Sequence, residues 1–237
     1  MAQQPALLVM TSFGDTFLQL EPLVRAAVPP PSPEDQASAG RMRGQAIQLR
    51  GQGQFDEAIA ALQQSVTLDP THLDGYVILG WTQHLTAQRE EAEAALLNAL
   101  AIDADYIPAL NALGIVYLVD GQLDNAVQTH THALTLNPSN EIAAYNLSLA
   151  YQRLQRYDDA IDYAVLATEL EPQNPHPWVA LAIAHESDGN TLEAKTAYRQ
   201  AWSLDSRYGD RVHLAHLEQA GFSPDQIRLT EVIWSNR

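Results

Sequence analysis

Histidine is the residue type in this sequence best suited to acid–base or metal chemistry, and the chain contains eight of them. Cysteine is absent, which removes disulfides, thiolate chemistry and Cys-ligated metals. His130 and His132 stand two residues apart and therefore point to different faces of a helix. His213 and His216 share a face but have no third ligand nearby in the sequence. The spacing predicts histidines that are packed or solvated, and no metal site.

Motifs for catalysis or cofactor binding are also missing from the sequence. No stretch matches a phosphate loop, a nucleophile elbow, an HExxH zinc motif or a dinucleotide-binding fingerprint. The paired acids Asp158-Asp159 and Glu90-Glu91 begin predicted helices, where negative charge complements the helix dipole. We therefore expect a protein that is not an enzyme and has no catalytic residues and no cofactor.

The charge balance limits the classes of partner. The formal net charge is −16, with 29 acidic against 13 basic residues. Such a surface opposes the phosphate backbone of nucleic acids and anionic membranes, whose affinity comes from Lys and Arg. No apolar run reaches the roughly 18 residues of a membrane span, and no basic segment precedes the short apolar run near the amino terminus. We expect a cytoplasmic protein, with peripheral membrane association left open.

The elements that must position any functional residue are helical hairpins. In residues 107–140, apolar side chains recur at three- and four-residue steps on both sides of Gly121, which predicts two amphipathic helices. The pattern returns at a constant 34-residue step. Small residues that let the helices approach closely recur at two positions: Ala46, Gly80, Gly114, Ser148 and Ala182 in the first helix, and Ala58, Ala92, Ala126, Ala160 and Ala194 in the second.

This pattern resembles the tetratricopeptide repeat family, whose 34-residue unit is a pair of antiparallel helices. The segments Gln54-Phe55-Asp56-Glu57-Ala58-Ile59 and Arg156-Tyr157-Asp158-Asp159-Ala160-Ile161 are close to the family consensus. The second repeat departs from it, with Ala87 in place of the turn glycine and Ala104 in place of the closing proline. The resemblance implies an all-α fold, a right-handed superhelical α-solenoid of five helix hairpins.

The sequence divides into three parts. Residues 1–32 contain an amphipathic helix, carried by Phe13, Phe17, Leu20 and Val24, and a proline-rich connector. Ser32 and Pro33 are a helix start, so the repeat region is placed at residues 33–208. Its five repeats are 39–72, 73–106, 107–140, 141–174 and 175–208. Residues 209–237 are interpreted as capping helices.

Two helices are expected in this last part. The first runs from Asp210 to Ala220 and ends at Gly221, and its inner side is predicted to carry Val212, Leu214, Ala215 and Leu217. The second opens at Ser223-Pro224 and is expected to use Trp234 as a packing anchor.

A stripe on the first helix of each repeat is left free by packing within the repeat, and in such a stack it lines the concave side. We call this stripe the groove row, and most of its side chains are apolar. Its predicted partner-binding residues are Arg43, Ile47, Val77, Trp81, Asn111, Ile115, Leu118, Tyr145, Asn146, Leu149, Val179 and Ile183. Soluble proteins rarely leave such a surface bare, so we expect a protein or peptide to cover it. Trp81, Ile115, Tyr145 and Leu149 are the predicted centre.

Two details refine this prediction. Some members of the family that the chain resembles bind chaperone carboxylates through a polar clamp on this surface. Here Ile47 and Val77 stand where polar clamp residues are expected and only Arg43 is positive, so we reject this function. Asn111 and Asn146 have two interpretations, as hydrogen-bond partners for the main chain of an extended ligand or as residues that satisfy polar gaps in the fold.

Two occupants compete for the groove in this interpretation. One is an apolar helix or extended peptide of a partner, which makes the protein a non-enzymatic interaction scaffold. The other is the chain's own residues 7–28, through Phe13, Phe17 and Leu20. A second class of function is an assembly factor that docks on a membrane complex such as a photosystem, since the chain also resembles stand-alone repeat proteins of cyanobacteria and plastids. A third, an enzyme subunit, would require catalytic residues that the sequence lacks.

Overall fold

The structure, a computed structural model, describes residues 30–235 of the chain. The chain divides into two units, Met1–Pro30 and Pro31–Arg237, and every element below belongs to the second. The predicted N-terminal helix with Phe13, Phe17, Leu20 and Val24 lies outside the described residues.

Five consecutive helix hairpins make up most of the described chain. They are α1 (Pro33–Gly51) with α2 (Phe55–Leu68), α3 (Leu73–Leu85) with α4 (Arg89–Ile102), α5 (Ile107–Val119) with α6 (Leu123–Leu136), α7 (Glu141–Arg153) with α8 (Tyr157–Leu170), and α9 (Pro175–Ser187) with α10 (Thr191–Leu204). A short 3₁₀ helix (Ser206–Gly209), a long 3₁₀ helix (Arg211–Ala220) and α11 (Pro224–Ser235) follow. The predicted all-α solenoid is confirmed.

Side-chain caps fix where several of these helices begin. The backbone N–H of Asp35 donates to Ser32 Oγ at 3.1 Å, and α1 begins at Pro33, as the sequence predicts. Asn140 accepts from the backbone N–H of Ala143 at 3.1 Å and caps α7. Asn174 caps α9 in the same manner, through the N–H of His176 at 3.0 Å.

The turn inside every hairpin contains one residue in the left-handed region of backbone space. Glycine fills this position in three repeats, with φ angles of 77° at Gly53, 80° at Gly121 and 84° at Gly189. Ala87 and Gln155 adopt it in the other two, at 58° and 60°. The second repeat therefore keeps the same turn although Ala87 replaces the glycine. The left-handed conformation costs some backbone strain at a residue with a Cβ.

Small residues set the separation of the two helices in a hairpin. The five central alanines of the second helices are completely buried: Ala58, Ala92, Ala126, Ala160 and Ala194. Gly114 faces the buried ring of His130, and a Cβ at this glycine would lie 2.7 Å from Cδ2 of the ring and closer still to Nε2. Gly80 faces Leu96 similarly, with Cγ of Leu96 2.8 Å from the place of a Cβ. The predicted small stripe is therefore required by direct contact.

The chain after the last hairpin differs from the prediction in one element. Residues Arg211–Ala220 form a 3₁₀ helix, and of the four predicted inner residues only Leu214 and Leu217 are buried. Val212 is 82% exposed and Ala215 is exposed as well. With three residues per turn, positions 214 and 217 fall on one face and positions 212 and 215 on another. The prediction of an inward Val212 and Ala215 was wrong for this reason.

Candidate functional site: the concave groove

The first helices of the hairpins form one layer of the solenoid. α1, α3, α5, α7 and α9, which carry the groove row residues, pack side by side in this order. The structure divides the row into two parts. We call the part formed by α1, α3 and the first half of α5 the open part, and the rest the covered part.

The open part presents partly exposed apolar side chains. Ile47 on α1 is 46% exposed, and Val77, Trp81 and Ile115 are each half-buried. The indole of Trp81 lies against His84 on the same helix, with ring centroids 5.1 Å apart. Partly exposed apolar side chains thus lie on three neighbouring helices.

The polar residues of the open part are engaged within the protein. Arg43 Nη1 donates to Ser65 Oγ at 3.2 Å and so points towards the second helix of its own hairpin. Asn111 and Asn140 exchange two amide hydrogen bonds, of 2.9 and 3.3 Å. A ligand in this part therefore meets a mostly apolar wall, and Asn111 fills a polar gap in the fold.

In the covered part the apolar side chains are fully inaccessible. Leu118 and Val179 have no exposed surface, and Leu149 and Ile183 retain 1% each. Asn146 is also buried and donates to the carbonyl oxygen of Ile142 in its own helix at 2.9 Å. These residues were predicted to contact a partner, but in this structure the chain itself covers them.

The segment that covers them begins at the end of the long 3₁₀ helix. Tyr145 Oη donates to the carbonyl oxygen of Ala220 at 2.7 Å, and the ring of Phe222 lies 6.0 Å from that of Tyr145. Gly221, with φ of 87°, turns the chain here. A Cβ at Gly221 would lie 3.9 Å from side-chain atoms of Leu118 and Leu149. The chain therefore crosses over Tyr145 and Leu149, two of the four residues of the predicted binding centre.

α11 then packs against α9, with a buried polar network that reaches α7. Gln226 is 1% exposed, and its Nε2 donates to the carbonyl oxygen of Leu149 at 3.1 Å and to Oε1 of Gln152 at 2.9 Å. Its Oε1 accepts from the backbone N–H of Ser223 at 2.9 Å, which closes the cap of α11. Gln152 in turn donates to Ser187 Oγ at 2.9 Å. One amide side chain thus joins α11 to α7 and, through Gln152, to α9.

The Tyr145 hydroxyl is a sensitive point of this contact. Burial raises the pKa of Tyr145 well above its ordinary value, so the hydroxyl stays neutral and donates. Tyr145→Phe removes this donor and leaves the Ala220 carbonyl without it. We expect the free energy of unfolding to fall by about 1–2 kcal/mol in denaturant titrations.

Tyr163→Phe is the matched control for this change. Tyr163 is partly exposed and its ring stacks on Tyr151 with centroids 5.4 Å apart, a contact that phenylalanine keeps. Its effect should stay within about 0.5 kcal/mol. Equal effects of the two substitutions would contradict the role given to the Tyr145 hydrogen bond.

Four of the eight histidines lie in two settings, one fully buried and one partly buried. His130 has no exposed surface, and burial lowers its pKa to about 3, against a smaller upward effect of the Gly114 backbone. His176 on α9 meets His213 and His216 of the long 3₁₀ helix, where the His216 ring is 5.6 Å from His176 and 3.9 Å from His213. The sequence could not place His176 beside the other two, because α9 lies more than thirty residues earlier.

The ring of Tyr208 packs against all three histidines of this cluster. The hydroxyl of Tyr208 lies 3.1 Å from His216 Nε2, and burial lowers the pKa of His176 and of His213, with a further contribution from His216. Within residues 30–235, no group of three or more His, Asp or Glu side chains is placed to hold a metal ion.

Sequence reasoning missed the residues that cover the groove. Phe222 and Gln226 were not predicted as site residues, although Ser223 and Gln226 have the spacing of a capping box and the later apolar residues predicted a helix. That signal gives the helix and its buried face. It contains no information about the surface against which that face packs.

Over the described part of the chain, no helix has both the length and the apolar character needed to cross a bilayer.

Comparisons with known proteins agree with this architecture. Two family models, both described as tetratricopeptide repeat, match residues 49–114 and 111–175. No curated protein sequence matches the chain.

Among the solved structures that share this fold are three whose matched region covers most of their own length. MamA residues 41 to the end from Desulfovibrio magneticus RS-1 has a TM-score of 0.65 at 17% identity, over 71% of this chain and 96% of that one. TTC0263, a thermophilic protein of Thermus thermophilus, has a TM-score of 0.61 at 21% identity, over 77% and 98%. A MamA structure from MSR-1 has a TM-score of 0.59 at 27% identity, over 71% and 97%.

Proposed function

Because the chain belongs to the tetratricopeptide repeat family, whose members are in general protein-interaction scaffolds, we propose that it binds an amphipathic helix or an extended peptide of a partner protein in the open part of its groove. The protein performs no reaction in this proposal. Its partner is a protein that presents an apolar stripe to Ile47, Val77, Trp81 and Ile115.

One observation carries the proposal: the covered part of the same groove already holds a helix, α11, against the same positions of later repeats. Leu149 occupies in the fourth repeat the position that Trp81 and Ile115 occupy in the second and third. A surface whose later repeats accept an amphipathic helix has a suitable geometry for one in its earlier repeats.

The energy still to be gained in the open part is modest and centres on its largest side chain. Full burial of an aliphatic or aromatic side chain contributes roughly 1.5–3 kcal/mol, but Val77, Trp81 and Ile115 are already partly buried and Ile47 is 46% exposed, so each has only a fraction of this left to gain. Association costs offset part of the gain. We therefore expect the binding energy to concentrate at Trp81, the largest apolar side chain.

The direct test is a quantitative affinity measurement with Trp81→Ala. Partners captured by the full chain are identified, and their affinities are measured with purified proteins by calorimetry. We expect Trp81→Ala to weaken a groove ligand by about thirtyfold, because truncation of a central anchor costs about 2 kcal/mol.

Leu97→Ala is the control, since Leu97 is 44% exposed in the same repeat but lies on α4, outside the groove row. If every captured partner binds wild type, Trp81→Ala and Leu97→Ala equally well, the open part is not the binding site. A chain without residues 1–30 decides the competing occupant. Tighter binding after this deletion would mean that the N-terminal segment occupies the same surface.

A further inference from the structure

α11 contacts the solenoid in the way that a bound amphipathic ligand does. Its inward residues are almost completely buried, and they are Phe222 just before the helix, Gln226, Thr230 and Ile233. Arg228 and Val232 on the other side are exposed. The helix therefore has one face for the groove and one for solvent, and no further layer of the described chain covers it.

Residues Arg211–Ala220 connect the repeats to α11. The long 3₁₀ helix runs for ten residues, whereas 3₁₀ runs beyond three or four residues are uncommon because their hydrogen bonds are poorly aligned. An ion pair of 2.7 Å joins Arg211 to Glu231 of α11, with the Arg211 side chain 62% exposed. Such exposed pairs contribute little stability. Trp234 Nε1 also donates to the carbonyl oxygen of Gly209 at 3.1 Å, and Leu214, Leu217 and Ile233 are buried, so residues 211–235 would have to leave the five hairpins as one unit.

The open and covered parts are one continuous surface. Ile115 and Leu118 lie one turn apart on α5, and the first is half-exposed while the second is fully covered. A Cβ at Gly221 would lie 3.9 Å from Leu118 Cδ2, so the covering segment starts where the open part stops. A ligand that extends past Ile115 meets the chain at Gly221 and Phe222.

We infer that residues 221–235, which include α11, are a displaceable occupant of the third to fifth repeats, and that a partner helix of the same chemistry replaces α11. This inference rests on the proposed function. The partner helix carries an aromatic residue that packs against Tyr145, an amide side chain four positions later, and apolar residues on the same face after that. The amide takes over the two hydrogen bonds that Gln226 makes with Leu149 and Gln152.

Hydrogen exchange of the full wild-type chain tests whether α11 opens independently. We expect the amides of residues 228–235 to exchange at least tenfold faster than those in the middle of α7, because α11 opens without global unfolding. Identical protection of α11 and α7, lost together with denaturant, would overturn the inference.

Displacement is tested with a labelled synthetic peptide of residues 220–235. In the wild type the tethered segment competes with this peptide at an effective concentration in the millimolar range. The double substitution Phe222→Ala/Gln226→Ala in the full chain weakens the contact of the tethered segment with the groove, while the added peptide keeps its own sequence. We expect the peptide to bind this variant at least tenfold more tightly than wild type, measured by fluorescence anisotropy. Equal affinities, or no binding to either chain, would overturn the inference.

Val232→Ala is the matched control, because Val232 lies on the exposed side of α11 and its truncation removes no groove contact. A peptide that carries Phe222→Ala/Gln226→Ala should lose its affinity for all three chains. The peptide affinities in this experiment do not depend on whether a partner binds the open part of the groove. If the peptide displaces α11 but partner affinities do not depend on Trp81, only the proposed function is refuted. If partner affinities depend on Trp81 but α11 cannot be displaced, only this inference is refuted.

Discussion

We expect His130→Leu to reduce the dependence of the free energy of unfolding on pH below pH 7. In the native protein burial lowers the pKa of His130 from 6.5 to about 3. The unfolded chain takes up a proton near pH 6.5, and the folded chain does so only near pH 3. This contribution to stability is therefore complete above pH 6.5 and is lost as the pH falls towards 3. Between pH 7 and pH 4 it amounts to about 3 kcal/mol.

The measurement is urea denaturation at half-unit steps of pH for wild type and variant. Leucine is a suitable replacement because repeats 1 and 2 carry Leu62 and Leu96 at this position, both fully buried. Other groups, including His176 and His213, titrate equally in both chains and cancel in the difference. Parallel profiles for the two chains would mean that His130 is protonated as readily in the native protein as in the unfolded one.

Gly114→Ala should destabilise the third repeat, although the same change favours an isolated helix. The new methyl group would lie 2.7 Å from Cδ2 of the His130 ring and closer to Nε2. The ring has no exposed surface, so it cannot move away into solvent without displacing its neighbours. We expect a loss of about 1–3 kcal/mol in the free energy of unfolding, as for other overpacked cores. Thermal and urea denaturation would measure it.

A double-mutant cycle separates this steric effect from the helix propensity of alanine. In a His130→Ala background the obstructing ring is gone, and the pair then resembles Ser148 and Ala164, which are both buried in the fourth repeat. Gly114→Ala in that background should be neutral or stabilise by up to about 1 kcal/mol. The same loss in both backgrounds would show that His130 is not the cause.

The hairpins were predictable because their information is local and repeated. A small residue such as Ala126 or Gly114 indicates close helix packing, and five copies of the pattern establish the 34-residue period. The structure confirms the pattern even where a residue departs from it. Ala87 and Gln155 adopt the same left-handed turn as Gly121, because packing of the adjoining helices over-determines the backbone there.

The covered part of the groove was not predictable in this way. The spacing of Gln226, Thr230 and Ile233 shows that α11 buries one face, but the choice of surface depends on contacts far away in sequence, such as Gln226 with Leu149. The 3₁₀ helix before it was also missed, since Leu214 and Leu217 satisfy a three-residue period and an α-helical period equally well. Trp81 and Ile115 remain predicted contact residues, while Tyr145 and Leu149 hold α11 in this structure.

The short open part of the groove sets a length limit for a ligand. It spans α1, α3 and α5, which at about 8–10 Å between neighbouring helix axes is a distance of about 20 Å. A helix rises about 1.5 Å per residue, so about thirteen residues fill it, whereas an extended chain needs only about six. A partner whose apolar stripe exceeds this length has to exchange places with α11. If both proposals hold, short and long binding segments differ in whether residues 211–235 have to move.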